Sequence, residues 1–322
     1  MGADLHKPRN APRIVVVLAD DAGQRIDNFL ARHMKGVPRS HVYQVLRTGQ
    51  VRVNRGRIRA HYRVRTGDEV RIPPYTQSAP TAAAGPEPER VAWLAQRILH
   101  RGPDLLVIDK PSGMPVHAGS GVPYGIIESL RALYPDEPAL ELVHRLDRET
   151  SGCLVVARSR QALRALHDAL RGGRMEKRYL ALVAGQWDGG KREVSMPLRR
   201  NVLQGGERMV QVEAAGKPAL SRFRPVARYA DSTLMEVSIV TGRTHQIRVH
   251  GAHIGHPLAG DEKYGDPAFN RRMRALGLRR MFLHAQFVSL EPAPGVRELS
   301  VSAPLDPELK ALLETLETRH AD

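Results

Sequence analysis

In ELVHRLDRETSGCLVVAR, residues 141–158, Asp147 stands between Arg145 and Arg148 in a polar turn that runs directly into an apolar strand. A carboxylate at the lip of a sheet can attack an electrophilic carbon or take a proton, and flanking guanidiniums stabilise its anion and add contacts to phosphate. The same residues equally fit an aspartate that caps the turn or pairs with its neighbours, so type and spacing leave both readings open. A second polar run, TGRTHQIRVHGAHIGH (241–256), gathers His245, His250, His253 and His256. We set metal binding aside there, because the HExxH spacing is missing and Arg243 and Arg248 would put positive charge beside a cation. Cys153, the single cysteine, enters an apolar strand as a buried inert thiol and excludes a disulfide framework or thiolate cluster. With no GxGxxG and no Walker-type loop, no nucleotide cofactor is expected.

The elements that must carry these side chains divide into two modules. The 322 residues hold 49 Lys and Arg against 34 Asp and Glu, a net +15, and residues 1–75 alone carry +9 of it. Such a field draws polyanions, so nucleic acid is the expected partner rather than a membrane. Ile26, Phe29, Leu30 and Met34 recur at helical spacing, Pro38–Arg39–Ser40 opens a second helix carrying Val42, Val45 and Leu46, and the following VRVN and VRTGDEVRIPP alternate as strands around a turn at Arg55–Gly56. We read residues 1–12 as a tail, 13–74 as an RNA-binding module and 75–92, rich in Pro, Ala and Ser, as a linker. Residues 93–322 then form an α+β domain of mainly antiparallel mixed sheet with flanking helices. Its strands are LLVIDKPSG, GCLVVAR, RYLALVAG, STLMEVSIVTG, MFLHAQFVSLE and RELSVSAP; a helix capped by Ser159 carries Leu163, Leu166 and Leu170, and another starts at Pro307. The opening residues lack the apolar run of a signal peptide and no run of about 18 apolar residues occurs, so the expected compartment is the cytoplasm.

HRLDRETSG (144–152) resembles the signature of the pseudouridine synthases of the RluA/RluC type. LLVIDKPSGMPVH (105–117), EKRYLALVAG (176–185) and VTGRTHQIRVHGAHIGHPLAGDEKYG (240–265) match in the same order. Residues 23–58 look like the small α/β alpha-L, or S-four-like, RNA-binding domain that precedes the catalytic domain in several of these enzymes. That module and GSGVPYGIIESLRALYP (119–135) are most similar to the RluC type, which acts on large-subunit (23S) ribosomal RNA.

The resemblance implies isomerisation of uridine to pseudouridine at more than one site, without cofactor or metal; nothing in the sequence demands more than a monomer. It makes Asp147 the catalytic group, whether by attack on the anomeric carbon, attack on the ring or abstraction of the ribose 2′ proton. Arg145 matches the residue that holds the place of the flipped-out uridine, Tyr179 the tyrosine that stacks on the base, Arg248 the partner of the aspartate, and Ile247 the apolar contact to the base. Arg243 and His245 are expected to meet substrate phosphate or support the site, and Lys110 to contact phosphate or close the wall. In the front module Arg25, Lys35, Arg39, Arg47, Arg52, Arg55 and Arg57 are expected to bind RNA. The alternatives are the same chemistry on transfer RNA, a non-catalytic RNA-binding ribosome-assembly factor, and a base-releasing glycosidase. Asp147, Tyr179 and Arg248 together weigh against the second, and the want of a further carboxylate near Asp147 other than Glu149 against the third.

Overall fold

The computed structural model describes residues 11–34, 37, 39–75, 86–119, 122–202, 208–292 and 297–321, and the chain divides into two compact units, Met1–Ala84 and Gly85–Asp322. In the first, β1 (Arg13–Val16), α1 (Ile26–His33), α2 (Arg39–Arg47), β2 (Arg52–Val53), β3 (Gly56–Arg57) and β4 (Glu69–Ile72) follow in order. Ile26, Phe29, Leu30 and Met34 are buried at helical spacing, and Val70 and Ile72 supply the alternating inner face of β4. The β2–β3 turn lies one residue earlier than the sequence suggests. Asn54 and Arg55, not Arg55 and Gly56, take positive φ (47° and 67°), since a tight hairpin needs two such residues in succession and Asn tolerates that conformation.

The expected linker is shorter at both ends. Tyr75 is buried in the front unit and its hydroxyl donates to the His33 carbonyl (3.0 Å). Pro88–Val91 form helix α3, with Pro pre-set for the first turn and Val91 buried as an anchor. Residues 76–85 of the linker, and the first ten of the tail, lie outside the described residues.

The larger unit continues with β5 (Ile98–Arg101), β6 (Leu105–Lys110), α4 (Ile126–Leu133), β7 (Glu141–Leu142), β8 (Ser151–Ala157), α5 (Arg160–Arg171) and β9 (Met175–Ala184). Then come β10 (Arg192–Ser195), β11 (Leu198–Val202), β12 (Arg208–Val212), β13 (Leu220–Arg228), β14 (Ser232–Ile239), α6 (Gln246–His253), α7 (Pro267–Ala275), β15 (Leu283–Leu290), β16 (Leu299–Ser302) and α8 (Pro307–Ala321). Among the described residues ten strands form one sheet, in order β10-β13-β14-β9-β15-β8-β6-β5, with β16 on β15 and β7 on β8; only the β15–β8 pairing is parallel. Every residue of β6 and β8 is buried, because Leu106, Ile108, Leu154 and Val156 face one apolar cluster and Leu105, Val107, Cys153 and Val155 face another. Each such aliphatic side chain contributes roughly 1.5–3 kcal/mol, which makes these two strands a rigid base for the turns at their ends. Ser159 caps α5 by accepting the Ala162 amide (3.0 Å), and Leu166 is buried beneath that helix.

Candidate active site

Asp147 lies in the turn between β7 and β8, and that turn is fastened to the one after β6. The Gly113 amide donates to the Arg148 carbonyl (2.9 Å), and the Ser112 hydroxyl to the Glu149 carbonyl (2.8 Å). Lys110, fully buried, donates to the carbonyls of Pro111 (2.8 Å), Met114 (2.7 Å) and Arg148 (2.9 Å). This corrects the expectation of a phosphate contact: all three ammonium protons are spent on backbone, so Lys110 positions the Asp147 turn instead. Burial lowers Lys110 to about 7, while three carbonyls, which only the ammonium form satisfies together, oppose the loss of charge. Gly152, at φ 101°, lies where β15 crosses so closely that a Cβ would stand 2.3 Å from the Ala285 carbonyl oxygen. A side chain there would push the strand away.

Above this turn opens a cleft of about 480 Å³, lined by Arg145, Asp147, Tyr179, Arg243, His245, Ile247 and Arg248, among others. The structure thus brings together every expected site residue of the larger unit except Lys110. The Asp147 carboxylate accepts no hydrogen bond among the described residues; its Oδ2 lies 3.8 Å from Arg248 Nη1 and 3.9 Å from His245 Nε2. It faces two basic groups and keeps its lone pairs available.

Arg248 pairs with Asp147 as expected, at 3.8 Å, but its tighter partner is Asp261. Nε and Nη2 donate to the two Asp261 oxygens (2.7 and 2.8 Å), leaving Nη1 for the catalytic side. Burial on its own would raise Asp261, but the Arg248 bonds and charge and the amides of Tyr264 and Lys263 outweigh it and hold the carboxyl below its usual range. A second carboxylate is therefore close by, but it is fully enclosed and saturated, so it stiffens Arg248 rather than offering itself to a glycoside.

His245 begins α6 in the left-handed conformation (φ 53°), a strained backbone for a residue with a Cβ. It is held there by Tyr264, whose hydroxyl shares a 2.8 Å hydrogen bond with Nδ1 and accepts the Val210 amide (2.9 Å). Burial lowers the imidazole, against the pull of Asp147. Gln246 ties the same loop down: its Oε1 accepts from the Thr241 hydroxyl (2.7 Å) and the Arg243 amide (3.0 Å), and its Nε2 donates to the Leu220 carbonyl (3.0 Å) and Ser221 Oγ (2.9 Å). Arg243 is exposed and donates to the Pro218 carbonyl (3.1 Å), while Ile247 is buried against the cleft.

Tyr179, buried in β9, has its phenol pushed well above the ordinary range by burial and then by Asp147, so it remains protonated. Arg145 is exposed at the rim with no acidic partner among the described residues. His250 is committed through Nδ1 to Ser221 Oγ (3.0 Å) and through Nε2 to the Met196 carbonyl (3.0 Å), and His256 through Nδ1 to the Ala184 carbonyl (2.9 Å). Burial raises the Cys153 thiol to about 12.

In the front unit Arg47, Arg52, Arg55 and Arg57 are exposed, with no ion pair among the described residues. Arg25 instead binds Asp27 through Nε (3.0 Å) and Nη2 (2.7 Å). Lys35 and the side chain of Arg39 lie outside the described residues.

Asp261, Tyr264, Gln246 and Lys177 were not foreseen. The first two sit in the quoted run ending GDEKYG, and Lys177 shares the period-two face of β9 with Tyr179, which was the available signal.

Residues 104–253 match the RNA pseudouridylate synthase family, and residues 24–70 the S4 domain. The chain is 51% identical over 308 residues to the ribosomal large subunit pseudouridine synthase C of Escherichia coli K12, covering 94% of this chain and 96% of that one. To its namesake in Salmonella typhi it is 50% identical over 311 residues, 95% and 97% of the two chains. Human RNA pseudouridylate synthase domain containing 4 has a similar structure, with TM-score 0.60 and 25% identity over 71% of this chain and 96% of that one. The chain therefore belongs to the RNA pseudouridylate synthase family, RluC type, with an S4 domain preceding the catalytic unit.

Proposed function

We propose that this protein converts uridines of large-subunit (23S) ribosomal RNA to pseudouridine, with Asp147 as the reacting group. The observation that carries the reading is the Asp147 carboxylate, unbonded in a cleft and facing an arginine whose other nitrogens are clamped by Asp261. A rigid cation held near 4 Å steadies the anion without occupying its lone pairs. The reaction breaks the bond from ribose to ring nitrogen 1 and forms one to carbon 5, whose proton is lost while nitrogen 1 gains one, so no electrons are exchanged.

Arg145 holds the vacancy or phosphate of the flipped nucleotide, Tyr179 stacks on the base with its hydroxyl protonated, and Ile247 packs against it. Arg243 and His245 line the approach. Arg47, Arg52, Arg55 and Arg57 meet RNA backbone in the S4 domain, with Arg25, Lys35 and Arg39 alongside. The protein works as a monomer in the cytoplasm.

Carbodiimide primer-extension mapping of ribosomal RNA from cells with and without the gene tests this. Loss of discrete stops in large-subunit RNA is the expected result. An unchanged ribosomal map with stops lost from transfer RNA would move the substrate, and no loss anywhere would overturn the reading.

A further inference from the structure

Lys177 lines the catalytic cleft yet is only 7% exposed, two residues before Tyr179 on the same face of β9. Among the described residues its ammonium has neither a carboxylate within ion-pair distance nor a hydrogen-bond acceptor, and no neighbouring anion offsets the burial that lowers it to about 8. Its stem is buried and its nitrogen reaches only the cleft, and a cation so poorly hydrated without a protein partner is costly to a fold. Lys110, fully buried, meets three carbonyls at hydrogen-bond distance.

The surroundings of Lys177 indicate an anion from outside the chain. His144 beside it is neutral, lowered to about 3 by burial and then by Lys177 itself, and its Nε2 accepts the Val155 amide (3.1 Å). Arg145 and Arg171 line the same cleft. The cations within ion-pair distance of Asp147 are Arg248 and His245, and Lys177 is not one of them among the described residues. Two residues of strand separate the side chains by about 7 Å, which places Lys177 beside the reacting sugar and base rather than on them.

Resting on the function proposed above, we infer that Lys177 seats a phosphodiester adjoining the target uridine, so that the substrate supplies the counter-charge that the folded chain withholds. Positive lining, burial and displacement from Asp147 favour a phosphate over a uracil carbonyl.

The test crosses enzyme and substrate. A synthetic RNA containing a uridine that the wild-type protein converts is made with a neutral methylphosphonate in place of its 5′ or its 3′ flanking phosphate. Wild type should lose about 10- to 100-fold in kcat/KM on one of the two. Lys177→Met should show that loss on unmodified RNA and little more on the neutral linkage, while Lys177→Arg stays within a few-fold of wild type. The thermal midpoint of Lys177→Met should equal or exceed that of wild type, which a merely structural lysine would not allow. Full activity in Lys177→Met, independent losses that multiply, or a wild type indifferent to both neutral linkages would overturn the assignment, the last pointing to the base instead. A wild type that converts no uridine in any RNA would bring down the function itself.

Discussion

The two units use positive charge in opposite ways. In the front unit Arg47, Arg52, Arg55 and Arg57 stand in solvent without acids, each interchangeable with the next as a contributor to a field. Around the cleft, Arg248 is clamped by Asp261 and Lys110 by three carbonyls, and moving either by an ångström breaks bonds that nothing replaces. Attraction to RNA depends on the number of charges, and chemistry on where each one is held. Lys177 belongs with the buried group by position and with the exposed group by want of a partner, and that is what singles it out.

The largest break is expected at the cleft. Asp147→Asn should cut turnover by about a thousand-fold or more in single-turnover assays while RNA affinity changes by less than about tenfold, because one site is a small part of a many-phosphate interface. Asp261→Ala should be the most damaging to folding, costing about 3–5 kcal/mol in denaturant titration by leaving Arg248 buried with only the 3.8 Å contact to Asp147. Lys110→Met should lower stability by about 1–3 kcal/mol and turnover with it, since the freed carbonyls no longer hold the Asp147 turn.

Lys177 carries a pH signature. Its folded value of about 8 lies below the ordinary 10.5, so between the two the unfolded chain binds a proton that the folded chain does not, and stability from this group rises with pH over that window. His144, Arg145, Arg171 and Tyr179 share its surroundings in both proteins, so the difference in thermal midpoint between wild type and Lys177→Met should move in favour of wild type from pH 8 to 10. A constant difference would contradict it. The smallest effect is expected in front: Arg52→Ala or Arg55→Ala should weaken RNA binding only a few-fold and lower the slope of log affinity against log salt by about one.

The sequence shows the reacting group more plainly than what holds it. Asp147, Tyr179, Arg145 and Ile247 stand in short contiguous motifs, and the cleft assembles all four. Asp261 lies 13 residues beyond Arg248, and only the fold of the α6–α7 connection makes it that arginine's partner. Helix α6 itself gave no periodic signal, because Gln246 to Gly251 are buried all round and no polar stripe marks a face. Lys110 looked like a phosphate ligand because its three acceptors are backbone carbonyls, which side-chain spacing cannot reveal. The Ser159 cap and the buried spacing in α1 were legible because both are local.

The most direct test of the account is the pseudouridine content of an unmodified large-subunit RNA transcript incubated with purified wild type or Asp147→Asn, with RNA binding followed in parallel. Discrete pseudouridines with wild type, none with Asp147→Asn and comparable binding by both is the result expected. Pseudouridine formed by Asp147→Asn at the wild-type rate would contradict it.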